Sequence, residues 1–386
     1  MTVAQFACKI ACVVAMSGTG VGAMQMRLTN VERRCLGFVL RERHVTQRHL
    51  ARHLDVTQQS ASRILTKLIE RGAIERGGLV GGSRGYPSSS FTLTPAFART
   101  LGVSIAPGRI AVMLCSFAGE PIAEVSAALP DNRTAALQWV RTSTQKIIHD
   151  VGADAPMLGV GIAVSGSFER DDAFNTPLAL EAWAGVDVRS IVGDALKLPA
   201  YAENDGTAAA LAESLFGVGE RHASFAYLFI GAGVGGGLVL DRRVWRGQHG
   251  NAGEFAGGLQ PTIDPFPNLE LLRVEFARAG QEFESIDAML AAFDPASSVV
   301  DDWLVKVRHS LSVIASNAGA ILDVEAIVIG GQVPRALAER MIPHIRFFDQ
   351  MRRSKARPVP TIVPSSLVND PALHGAALLP LQGSFA

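Results

Sequence analysis

Thr29, Thr46 and Thr57 each stand directly before a run of residues whose apolar members recur at helical spacing. Three helix starts so close together leave room only for short helices with tight turns between them. Thr29-Asn30-Val31-Glu32 has the form of a capping box, in which Thr29 accepts from the third helical N–H and Glu32 reaches back. The first helix carries Val31, Cys35, Phe38 and Val39 on one face. The second, opened by Thr46, turns Leu50, Ala51 and Leu54 inward and ends in a tight turn at Asp55-Val56. The third, opened by Thr57, runs to about Arg71 with Ala61, Ile64, Leu65, Leu68 and Ile69 inward. This arrangement is a helix-turn-helix.

The outward face of the third helix offers Gln58, Gln59, Ser62, Arg63, Thr66 and Lys67. Gln suits adenine and Arg suits guanine in the major groove, which the N-terminal end of this helix enters. After it come Gly72–Gly77, the glycine-rich Gly81–Pro87 and then Phe91–Thr94. That reads as strand, tip and strand, the wing of a winged helix. Arg84 at the tip reaches phosphate or a minor groove. The expected DNA-contacting set is Thr46, Thr57, Gln58, Gln59, Ser62, Arg63, Lys67 and Arg84. The plainer reading is a small helical domain for protein contacts. Charge favours DNA. The chain has no formal net charge, yet Met24–Ser90 holds 12 Lys/Arg against 5 Asp/Glu, and Phe91–Ala386 holds 23 against 31. A basic head on an acidic body suits a polyanion partner for the head alone and excludes a uniformly basic coat protein.

A chain of 386 residues holds two or three domains. Past the head, strand-like runs (Leu101–Ile105, Ile110–Cys115, Leu158–Val164, Ala226–Ile230, Gly237–Leu240, Ala326–Ile329) interleave with helical patterns (Thr134–Val151, Gly206–Phe216, Asp301–Leu322, Pro334–Met341). This alternation predicts an α/β body over residues 98–386, behind a head at 26–96. Cysteine occurs only at 8, 12, 35 and 115, which argues against a disulfide framework and for a reducing cytoplasm. In residues 1–25, Ile10–Met16 follows Lys9 and loosely resembles a secretory signal. Its core is interrupted and a DNA-binding pattern comes after it, so 1–25 reads as a disordered leader or an over-extended start, with Met24 or Met26 as the true first residue. No run reaches the roughly 18 apolar residues of a membrane span.

Several junctions carry chemical potential. The loop Gly231–Gly237 follows a strand and can close backbone N–H groups around a phosphate or sugar, although glycine clusters also make hairpins. Ile329-Gly330-Gly331-Gln332 is a similar strand end. Glu203-Asn204-Asp205 precedes a helix; Asn and Asp side by side hold neighbouring hydroxyls of a polyol, and an Asp there can act as a general base. The plainer role is helix capping by Asp205. Glu254 stands in the glycine-rich loop Gly250–Phe255, where a solvated acid is the plainer reading.

Taken in order, Gly159–Gly166, Asn175, Glu203–Asp205, Gly231–Gly237, Gly250–Glu254 and Gly330-Gly331 resemble the ROK family of sugar kinases and sugar-responsive repressors. The resemblance covers nearly the whole chain from the winged helix onward. It implies a two-lobed, actin-like (ribonuclease-H-like) ATPase-type fold with sugar and nucleotide in the cleft. It implies sugar contacts from Asn175, Asn204, Asp205 and Glu254, joined by Glu270, because Asn268-Leu269-Glu270 falls where the family has Cys-Leu-Glu. Asp205 aligns with the kinase base. Gly231, Gly233, Gly235, Gly236, Gly330 and Gly331 are the phosphate-loop remnant.

The departures are as informative. The family's Asp-x-Gly-Gly-Thr loop is Ser104-Ile105-Ala106-Pro107-Gly108, with no carboxylate for Mg²⁺ and no N–H at Pro107. Ala232 replaces a frequent Thr. The Glu-x-Gly-His motif is Glu254-Phe255-Ala256-Gly257, and Gly258–Glu270 contains no Cys or His, so no zinc or other cofactor is expected. His249 precedes Glu254 and reads as a surface residue. The expectation is therefore a non-enzymatic regulator, a repressor of sugar-metabolism genes. A sugar or sugar derivative would bind between the lobes and a palindromic operator would bind a homodimer, with a tetramer left open. The alternatives are a weak ATP-dependent sugar kinase and a constitutive DNA binder with a degenerate ligand site.

Overall fold

The computed structural model describes residues 13–16, 22–80, 88–152, 155–169, 173–260, 262–294, 296–348, 355, 357–367 and 369–385. Two short strands, β1 (Val13–Met16) and β2 (Gly22–Gln25), pair antiparallel. Both lie within residues 1–25, most of which fall outside the described residues.

The capping box forms at the start of α1 (Asn30–Glu42): Glu32 N–H donates to Thr29 Oγ1 at 3.3 Å, and Thr29 N–H donates to Glu32 Oε2 at 2.7 Å. After β3 (Val45–Thr46), Thr46 caps α2 (Gln47–Leu54) and Thr57 caps α3 (Gln58–Glu70). The turn between them is made by Asp55 in the left-handed region, at φ 55°. Then β4 (Ile74–Val80) and β5 (Ser88–Leu93) join β3 in a small sheet of order β3-β5-β4. Cys35, Leu36, Val39, Leu50, Leu65 and Leu68 fill the core beneath it. Val31 departs from the expected face and is 37 % exposed. The inward place belongs to Glu32, which is buried and paired with Lys67 Nζ at 2.8 Å and Arg71 Nη1 at 3.3 Å.

The first lobe of the body contains β6 (Arg99–Ala106), β7 (Arg109–Ser116), β8 (Pro121–Ala128), α4 (Arg133–Val151), β9 (Met157–Val164), β10 (Ser167–Phe168), β11 (Phe174–Asn175), α5 (Val188–Leu196) and β12 (Ala200–Asn204). Its main sheet runs β1-β2-β9-β6-β7-β8, with β12 also paired to β9. Strand β9 is parallel to β6 and to β12. It is buried along its whole length, which is why it reads as a continuous apolar run.

The second lobe contains α6 (Asp205–Phe216), β13 (Phe225–Ile230), β14 (Val234–Leu240), β15 (Arg243–Val244), α7 (Leu269–Arg278), α8 (Ile286–Ala291), α9 (Ser298–Leu322), β16 (Ala326–Gly331), α10 (Arg335–Met341) and β17 (Thr361–Pro364). Its sheet order is β15-β14-β13-β16-β17. Trp303, Leu304, Val307 and Leu311 of α9 pack with Leu269 and Leu272 of α7 in the core on this sheet.

The last helix, α11 (Pro371–Phe385), returns to the first lobe and packs against β6, β9 and α6. The approach is so close that side chains are excluded. A Cβ on Gly161 would sit 1.8 Å from the Ala376 carbonyl oxygen, and one on Gly375 1.7 Å from that of Ala208. Helices α6 and α11 both begin beside the cleft and end at the head. Arg43, the residue after α1, lies over the Phe216 ring at 4.4 Å, and Phe385 packs edge-on to Phe117. Head residues Cys35, Leu50 and Leu68 and body residues Phe117, Leu215, Leu381 and Phe385 belong to one continuous hydrophobic core.

Candidate functional site

A cavity of about 650 Å³ lies between the lobes. Asn175, Asn204, Asp205, Glu254 and Glu270 all line it, although they come from separate stretches of chain. The element ends explain the gathering. Strand β12 runs out at Asn204, β11 ends at Asn175 and α7 begins beside Glu270.

The expected cap is corrected. Asn204, not Asp205, caps α6: its Oδ1 accepts from Gly206 N–H at 2.8 Å and Thr207 N–H at 3.2 Å. Its Nδ2 donates to the Gly166 carbonyl at 2.6 Å. Asp205 is thereby left to face the cavity from the first turn of α6. It accepts from Ser165 Oγ at 2.5 Å and from Gly206 N–H at 2.8 Å. Burial pushes its pKa up to about 6, with the charges of Glu254 and Asp370 acting in the same direction against those two hydrogen bonds. Burial also raises the Glu254 carboxyl. Glu270 is held by Arg273 in a two-point pair, at 3.1 and 2.6 Å. Arg273 also donates to the Phe283 carbonyl at 2.9 Å.

The glycines divide into two groups. Gly233 and Gly235 line the cavity, and a Cβ on either would meet nothing within 4 Å. Gly231, Gly236 and Gly330 serve packing. Added Cβ atoms would lie 2.9 Å from Gln332 Oε1, 2.4 Å from the Tyr227 carbonyl and 2.1 Å from the Tyr227 hydroxyl, respectively. Gly331, at φ 93°, lines a neighbouring cavity of about 340 Å³ with Ser104, Arg109 and Asp370. Phe255–Gly258 is a short 3-10 turn without a ligating side chain, His249 is exposed, and no metal-binding cluster occurs among the described residues.

Sequence reasoning missed Ser165, Arg273 and Asn251. Asn251 accepts from Phe168 N–H at 2.7 Å and donates to the Phe168 carbonyl at 2.9 Å, fixing the Glu254 loop to the first lobe. Its signal was its place in the Gly250–Glu254 stretch.

In the head, Gln58, Gln59 and Arg63 are exposed on α3 and Ser62 is half-buried. Gln47 Nε2 donates to the Gln58 carbonyl at 3.0 Å, joining the starts of α2 and α3. Thr46 and Thr57 are engaged as caps. Lys67 directs its charge to buried Glu32. Arg84 lies outside the described residues.

Residues 100–262 match the profile of the ROK family, and residues 28–85 that of the MarR family. Residues 100–262 are thereby assigned to the ROK family. Its N-terminal part is a MarR-like winged-helix DNA-binding domain, so the make-up is that of a ROK-family regulator. A Sinorhizobium fredii protein whose name assigns it no function is 28% identical over 373 residues, 92% of this chain and 91% of that one. A xylose repressor of Caldicellulosiruptor bescii is 25% identical over 222 residues, 57% of this chain and 56% of the repressor. Among solved structures, a ROK family transcriptional regulator described as a homologue of the E. coli MLC protein superposes with a TM-score of 0.63. It is 20% identical, over 92% of this chain and 97% of that one. A ROK glucokinase from Streptomyces griseus, solved with glucose and AMPPNP, superposes with a TM-score of 0.57 at 22% identity, over 74% of this chain and all of the enzyme. These two likenesses concern the two-lobed fold. No helix among the described residues is long and apolar enough to cross a membrane.

Proposed function

We propose that this ROK-family chain is a transcriptional repressor whose operator affinity is set by a sugar or sugar derivative held between the lobes. One observation carries the reading. The cleft gathers Asp205, Glu254, Glu270 and Asn175 around one cavity, while the hairpin that the family resemblance puts on the phosphate side reads Ser104-Ile105-Ala106-Pro107-Gly108. At that hairpin Ser104 offers no negative charge and Pro107 no N–H, so positioning and neutralising a transferring phosphoryl group lacks its usual parts. A body of this kind behind a winged helix is a sensor in place of a catalyst. Gln58, Gln59, Ser62 and Arg63 read bases, Arg84 supports them from the wing, and a symmetric pair of heads reads a palindrome. The sugar class follows the names of the xylose repressors among the relatives.

A second reading, weak ATP-dependent sugar phosphorylation, is favoured by Asp205 alone, whose pKa near 6 suits a general base. A constitutive DNA binder is the third. Operator binding by anisotropy, on duplex DNA from upstream of the chain's own gene, tests all three. A pentose or hexose that shifts wild-type affinity, but not that of Asp205→Ala, supports the sensor. Unchanged response in Asp205→Ala overturns the site assignment. ATP turnover with a sugar acceptor supports the kinase.

A further inference from the structure

Arg246 lies outside the cavity, yet it joins three parts of the molecule. Its Nε donates to Glu203 Oε2 at 2.6 Å, and its Nη2 donates to Gln382 Oε1 at 2.8 Å. The other oxygen of Glu203 accepts the N–H of Asn204 at 3.0 Å, at the residue that caps α6 beside Asp205. Arg246 also opens the loop that leads to Glu254, where its carbonyl accepts from Ala252 N–H at 3.1 Å. Gln382 stands about one turn before Phe385, the residue that meets the head: a Cβ on Gly37 of α1 would lie 3.4 Å from the Phe385 Cβ.

The pairing is not a surface ornament. Glu203 is 2% exposed, and a buried carboxylate left without its cation is costly. Arg246 therefore stays with Glu203 and, through it, with the backbone at the cleft. Its remaining reach goes to α11. A displacement of the Gly250–Glu254 loop, or of the β12 end at Asn204, pulls on the same guanidinium that holds the last turn of α11. That turn belongs to the core shared with α1. Contiguous hydrogen bonds and packed rings of this kind are the physical carriers of coupling between sites.

We propose that Arg246 is a positioning residue that relays the state of the cleft to the DNA-binding head, through Gln382 and Phe385. The proposal rests on the reading of the cleft as a sensor. A purely structural Arg246 would only neutralise Glu203. Gln382→Ala separates the two roles, because it cuts the link to α11 and leaves the Glu203 pair intact.

Hydrogen exchange on the full-length protein tests the relay without a known effector. Asn251→Ala frees the cleft loop from Phe168. The relay predicts at least twofold faster amide exchange in α1 when Asn251→Ala is made in the wild type. It predicts no added effect of Asn251→Ala when Gln382 is already Ala, a non-additive cycle. Arg246→Lys, which keeps the charge but loses the fork, gives an intermediate response. An α1 that ignores Asn251→Ala, or responds equally in both backgrounds, overturns the relay. The sensor reading is judged separately, with D-xylose and D-glucose as probes in the operator assay. A sugar response of equal size in wild type and Gln382→Ala overturns the relay and leaves the sensor standing. No response to any sugar overturns the sensor, while the exchange cycle still decides the relay.

Discussion

Asp205→Asn is expected to stabilise the protein at neutral pH. A carboxyl moved from 3.8 to about 6 by folding carries a penalty of about 3 kcal/mol when ionised, at roughly 1.4 kcal/mol per pH unit. The sign follows from linkage. The folded pKa lies above the unfolded one, so the folded state binds the proton more tightly and the wild type gains stability as pH falls from about 6 towards 4. An amide is neutral throughout and carries no such term. It keeps the acceptor for Gly206 N–H, but the NH2 that replaces Oδ2 cannot accept the Ser165 hydroxyl, a loss of about 1 kcal/mol. The net gain at pH 7.5 is therefore about 2 kcal/mol, and it disappears near pH 4. Urea unfolding of both proteins at pH 7.5 and pH 4.5 measures it. Glu203, Glu254 and Asp370, also raised by burial, titrate in both proteins and largely cancel in the difference. An Asp205→Asn variant less stable than wild type at pH 7.5, or an advantage that persists at pH 4.5, would refute the burial argument for this carboxylate.

Other substitutions probe the remaining links. Phe385→Ala removes a buried ring shared by head and body and should cost about 3–5 kcal/mol, read as one lowered unfolding transition in calorimetry rather than an isolated loss of the head. Gly161→Ala drives a methyl group into the α11 backbone and should leave little soluble protein on expression, whereas Gly233→Ala, in open space, should express normally. In operator titrations, Arg63→Ala should weaken specific binding by about 1–3 kcal/mol. Lys67→Ala should lower thermal stability modestly, because buried Glu32 is left with Arg71 as its only cation, with little change in the salt dependence of binding; a large loss of salt dependence would return Lys67 to the DNA.

The parts legible in the sequence were those governed by local rules. Three threonine caps, the turn at Asp55 and, Val31 apart, the apolar faces of the head depend on neighbours within a few residues, and they stand as read. Helix α11 escaped notice because it is apolar on nearly every side, holds Pro380 in its interior and so offers no amphipathic period. Strand β8 was hidden by its half-exposed alternation, with no apolar run to mark it. At the cleft, residue types were legible but roles were not. Asn204 and Asp205 are adjacent and chemically similar, and only the geometry of α6 decides which one caps. Asn251 with Phe168, 83 residues apart, and Arg246 with Gln382, 136 apart, are meetings that no spacing rule anticipates.

The core that runs unbroken from α1 into α11 bears on how such a chain can change over evolutionary time. A winged helix joined by a free tether is a portable cassette, and recombination can exchange it without regard to the domain behind it. Here a foreign head would arrive at a socket shaped by Phe117, Phe216 and Phe385, and would need a face that fits those rings. Head and helix α11, far apart in the sequence, are therefore bound to diversify together.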